Sequence, residues 1–107
     1  RGWSDLFLAS GAVINFNEGD VALTHSSDLL TLTGGALTVG VDDTGHDVKF
    51  FGATSGQYML WDESADKLIL TGEIEAGSLD ISGNVDVDGT LETDALTVGG
   101  TNVLPRC

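Results

Sequence analysis

The chain has 107 residues, of which 41% are apolar and 15 are glycine, with only two Trp, one Tyr and four Phe, so it is long enough for one domain but short of bulky material for a core. Its 17 acidic residues face four basic ones, a formal net charge of −13, and no Lys or Arg lies between Lys67 and Arg106. This balance argues against nucleic acid and against an anionic membrane surface, because phosphates are held by Lys and Arg that displace their counterions. No run approaches the about 18 consecutive apolar residues of a membrane span, and no secretory leader is evident.

Residues 1–11 read as an N-terminal connector. Ser4 to Ala9 offers at most one helical turn, since Ser4 and Asp5 alone make a weak cap, and no longer stretch carries helical periodicity free of glycine. The chain opens at Arg1 and not at Met, which reads as a segment of something longer.

Residues 12–45 form a first β-hairpin module and residues 46–72 a second. Ala22 to Gly34 aligns with Met59 to Gly72, placing Leu23 on Leu60, Leu30 on Leu68, Leu32 on Leu70 and Gly34 on Gly72, with a period of about 38 residues and one insertion. A short apolar run precedes each copy, Val13 to Phe16 in the first and Val48 to Phe51 in the second. Each module is therefore expected to run strand, loop, strand, polar turn, strand. The turns are His25 to Asp28 and Asp62 to Asp66, rich in side chains that bond to nearby backbone. Gly40 to Gly45, with Asp42 and Asp43, is the loop between modules.

Residues 73–104 follow a shorter rhythm, and residues 105–107 are a C-terminal tail. Apolar residues alternate in pairs (Leu68/Leu70, Ile74/Ala76, Leu79/Ile81, Val85/Val87, Leu96/Val98) that recur about every six positions, with Leu91 alone and Gly72, Gly77, Gly83, Gly89 and Gly99 between them. Alternation marks a strand with one buried face, yet each strand buries only two side chains before a glycine turns it. Such strands must stack on copies of themselves, within one chain as a solenoid or between chains as an intertwined oligomer. The chain is expected to be all-β.

Leu79 to Leu91, followed by Ala95 to Val103, resembles the glycine-punctuated stem repeats of bacteriophage tail fibres and tail spikes, and Val48 to Leu68 is similar to a module of phage virion fibre proteins. The resemblance covers most of residues 12–104. It implies an elongated homotrimeric intertwined β structure, with the hairpin modules feeding a triple β-helix-like shaft, in a virion appendage assembled in the host cytoplasm. It implies partners among other fibre or tail proteins and no catalytic residue. A threefold assembly is also physically plausible: Leu79, Ile81, Val85 and Val87 can converge on a narrow apolar core while Asp80, Asp86 and Asp88 point to water.

The residues that could carry chemistry are few. His25 and His46 have no His-x-His or His-x-x-x-His spacing and read as exposed loop histidines; three copies of either around a threefold axis are the metal alternative. Asp86 to Gly89 matches part of a calcium loop, but Glu92 comes too early to complete one, and Asp42, Asp43 and Asp47 form a second acidic cluster. The first reading of all these acids is solvated faces and turns, with calcium as the second. No Gly-x-Ser-x-Gly elbow is present, and the acids alternate with apolar residues as an outer face does, so no enzyme, metal or cofactor is expected.

Among the aromatics, Tyr58 and Trp61 share a predicted strand on different faces, and Trp61 reads as packing between adjacent subunits, with a glycan platform as its alternative; Trp3 lies in the connector. Cys107 excludes an internal disulfide framework and a Cys-based zinc site, so only an intermolecular bridge would give it structural meaning. The favoured function is a rigid structural segment of a phage tail fibre used in host attachment. The alternatives are a glycan- or receptor-binding module or calcium-dependent surface adhesin, and a polymerising monomeric β-solenoid.

Overall fold

The computed structural model describes residues 2–103; Cys107 and most of the tail that carries it lie outside the described residues. Eight strands form three antiparallel sheets, and no helix occurs among the described residues. The chain divides after Glu73 into two compact units.

The first unit holds two three-stranded meanders. β1 (Val13–Phe16), β2 (Val21–Ser26) and β3 (Leu29–Thr33) form the first, in that order. β4 (Val48–Phe51), β5 (Tyr58–Asp62) and β6 (Lys67–Leu70) form the second. Runs of Val, Ile, Leu and aromatic residues bounded by Gly, Asp and Asn supply the strands and their ends. The β2–β3 turn is Ser27 and Asp28, closed by the Ser26–Leu29 pair, with Asp28 in the left-handed region at φ 56°. The β5–β6 turn is two residues longer, running from Glu63 to Asp66 inside the Asp62–Lys67 pair.

That length difference corrects the internal alignment. Leu32 pairs with Leu23, whereas Leu70 pairs with Met59, so the structural counterpart of Leu23 is Met59 and not Leu60. Likewise His25, opposite Leu30, corresponds to Trp61, opposite Leu68. The alignment with one insertion missed the second inserted residue because a leucine stands at 60 beside Met59, and a slip of one residue along a strand exchanges its faces.

The second unit is different. Its only strands among the described residues are β7 (Thr97–Val98) and β8 (Thr101–Asn102), joined by Gly99 and Gly100, both at positive φ as a tight hairpin turn requires. Residues 74–95 contain no strand and make no backbone–backbone hydrogen bond with one another. The alternating pattern there predicts short strands, but a strand exists only beside a partner, and none pairs with this stretch among the described residues. Ser4 to Ala9 likewise forms no helical turn.

Candidate functional site

Cross-strand register and the two-residue period assign every strand residue to one of two faces. In the first meander Ile14, Phe16, Val21, Leu23, Leu30 and Leu32 share one face with His25, and the reverse face carries Asn15, Thr24, Ser26, Thr31 and Thr33 beside Val13, Ala22 and Leu29. In the second, Val48, Phe50, Met59, Trp61, Leu68 and Leu70 make a wholly apolar face. Much of these faces is left open among the described residues: Leu30 is 68% exposed, Leu68 61% and Phe50 59%. Ala22 is the only buried apolar residue among those described. Full burial of a side chain of this size is worth about 1.5–3 kcal/mol, so each half-exposed one leaves about 1 kcal/mol unclaimed.

The reverse face of the second meander carries Lys49, Phe51, Tyr58, Leu60, Asp62, Lys67 and Ile69. Here the ammonium of Lys49 lies 4.2 Å from the centre of the Tyr58 ring and 4.9 Å from that of Phe51. The cation thus lies over the Tyr58 ring, while Phe51 stays largely exposed. Tyr58 and Trp61 do lie on opposite faces. The role of Lys49 was missed in the sequence, although the alternation of positions 49 and 51 and the Phe51–Tyr58 pairing carry the signal.

In the second unit the same exposure continues along the alternating stretch, with Leu79 77% and Val85 65% exposed, and with Asp80, Asp86 and Asp88 exposed between the apolar residues. Glu92 is exposed as well and joins no strand.

The candidate ligands are distributed as follows. His46 is exposed in the segment before β4, while His25 sits on β2 with its Nδ1 accepting a hydrogen bond from the Gly11 amide at 3.0 Å. Asp42 and Asp43 line an open recess with Val41, Gly45, Trp61, Glu63 and Asp66. Asp47 is instead engaged by the Glu63 amide, which donates to its Oδ1 at 2.9 Å. No group of three or more His, Cys, Asp or Glu side chains among the described residues is placed to hold a metal ion. Asp62 is held below the usual carboxylate range, chiefly by the Ser64 hydroxyl donating at 2.8 Å, with help from the amides of Ala65 and Ser64 and the charge of Lys67. This is a turn-closing arrangement at the head of the Glu63–Asp66 loop. No helix of the described residues is long and apolar enough to cross a membrane.

Among the described residues the most extended feature is exposed apolar sheet surface. Comparison with protein-family models, with curated proteins and with solved structures finds no match.

Proposed function

We propose that this chain is a structural segment of a phage tail fibre or comparable virion appendage, in which three copies pack through their apolar sheet faces and complete the second unit's strands with one another. The segment then acts mechanically, as a rigid trimeric shaft that carries a host-contacting tip and joins other fibre or tail proteins. The observation that carries the reading is the uncovered apolar surface. In the first unit Leu30, Phe50 and Leu68 are more than half exposed, and in the second Leu79 and Val85 are.

Two further observations support association between copies. Residues 74–95 make no backbone–backbone hydrogen bond with one another, while alternating apolar and acidic side chains as strands do. In addition, every paired strand is antiparallel to its neighbour, so the coil-on-coil parallel pairing of a monomeric solenoid finds no support among the described residues. Intertwined copies would join dissociation and unfolding into one event.

The test is solution mass by light scattering, read beside gel migration with and without boiling. A trimer that resists detergent until heated is the expected result, and a folded monomer overturns the proposal. A second reading, a glycan- or receptor-binding module or calcium-dependent adhesin, draws on the part-exposed Trp61 beside Asp42 and Asp43. Binding of the chain to host cells or glycans, with and without chelator, separates the two.

A further inference from the structure

We propose that His25 is a pH-sensitive latch that fastens the N-terminal segment, residues 2–11, to the first meander. The segment ends in a turn in which the Ala12 amide donates to the Ala9 carbonyl at 3.0 Å, with Gly11 at φ 79°. Beyond the turn, the ladder begins with the His25 amide donating to the Ala12 carbonyl at 2.9 Å. One hydrogen bond ties the turn to a side chain on the sheet: the Gly11 amide donates to His25 Nδ1 at 3.0 Å. Next to this bond Leu8 and Ala9 face Ile14, Leu23 and Leu30 across a cavity of about 170 Å³.

The chemistry of the acceptor makes the tie conditional. Nδ1 accepts only when its lone pair is free, which puts the imidazole proton on Nε2. A second proton occupies Nδ1 and turns it into a donor facing another donor, so the Gly11 bond is lost and the two N–H groups oppose each other. Histidine is the side chain whose ordinary titration falls in the mildly acidic range. Among the described residues no charged group lines the contact: the cavity lining is apolar apart from His25, and β1 and β3 carry no titratable residue. The nearest acids along the flanking segments are Asp28, in the turn after β2, and Asp5, six residues before Gly11.

The second module has a comparable tie, from the segment before β4 to the first residue of the β5–β6 turn, but its acceptor is the carboxylate of Asp47 and its donor the Glu63 amide. The imidazole acceptor is thus particular to the first module's tie. Release frees a segment that already exposes Trp3, Leu6 and Phe7, and uncovers the Leu8 side of the cavity. The latch is built from contacts within one chain, but His25 shares the face through which copies are proposed to pack, so its accessibility is read together with the oligomeric state.

The test is hydrogen exchange at the Gly11 amide, read by NMR on the full-length chain labelled at glycine nitrogen, between about pH 8 and about pH 5. After correction for the intrinsic pH dependence of exchange, the Gly11 rate is expected to rise about three- to tenfold, the range of one net hydrogen bond, with a midpoint that tracks the His25 ring resonance. His25→Asn places a non-titrating oxygen near the Nδ1 position and is expected to abolish the pH dependence, while His46→Asn, at the only other histidine, leaves it in place. A wild-type Gly11 amide indifferent to pH, or a step that persists in His25→Asn, overturns the latch. Solution mass recorded on the same samples keeps this outcome separate from that of the trimer proposal.

Discussion

Gly34 and Gly72 close the two modules at the same point of the repeat, but only one of them needs to be glycine. Gly34 has φ 89°, and a Cβ there would sit 2.1 Å from the Asp20 carbonyl oxygen, which is backbone and cannot step aside. A Cβ at Gly72 would meet only the end of the Gln57 side chain, at 3.6 Å. Gly34→Ala is therefore expected to cost at least about 1–2 kcal/mol from the left-handed backbone alone, and more from the collision. Gly72→Ala should be neutral within about 0.5 kcal/mol, and paired thermal melts of the two variants check the contrast. Asp62 gives a second residue-scale prediction. Its folded-state pKa lies below its ordinary 3.8, so its contribution to stability is present above that value and is lost as the pH falls through the folded value. Ser64→Ala removes the largest cause and should raise the Asp62 pKa toward 3.8, as read from its carboxyl resonance, shrinking the acid-dependent part of stability below about pH 4.

At the scale of the element, the two faces of each meander make opposite predictions. Substitution of Leu68 or Met59 by Asp puts a charge on the all-apolar face of the second meander, and should drive the assembly to monomer or aggregate. Thr31→Asp, on the reverse face of the first, should leave the solution mass unchanged. Trp61→Ala should weaken the oligomer by at least about 2 kcal/mol per subunit, seen as a lower temperature of gel dissociation; an intact, equally heat-resistant oligomer would count against a packing role. Legibility in the sequence follows the same division. β1 to β6 could be read because each strand finds its partner a few residues away, so Gly, Asp and Ser turns and alternating side chains carry all the information the pairing needs. The register of β5 could not, because a loop two residues longer than its counterpart moved Leu60 to the reverse face and brought Met59 into line with Leu23. The alternation of residues 74–95 was legible, but it forms no strand there, because the pattern asks for a buried face without naming what would bury it. The His25–Gly11 and Asp47–Glu63 ties join residues 14 and 16 apart, and no spacing rule announces them.

For the whole molecule the decisive opposition is between apolar attraction and like charge. The net charge of −13 is unevenly spread: residues 74–103 carry Glu75, Asp80, Asp86, Asp88, Glu92 and Asp94 and no Lys or Arg. If copies associate parallel and in register, each of these carboxylates meets its own counterparts at the same height, and the repulsion rises with every copy added. Exposed charges a few ångströms to a nanometre apart are screened when the Debye length shrinks, from about 30 Å at 0.01 M salt to about 8 Å at 0.15 M. The oligomer should thus gain heat resistance when sodium chloride is raised through this range, most steeply at its lower end. Apolar association without such charge rings would show little response there. Calcium chloride matched to the same ionic strength divides the remaining readings. An equal gain assigns the acids to solvated outer faces that keep the shaft soluble, whereas a larger gain, reversed by chelator, assigns some of them to cation binding created only when copies meet.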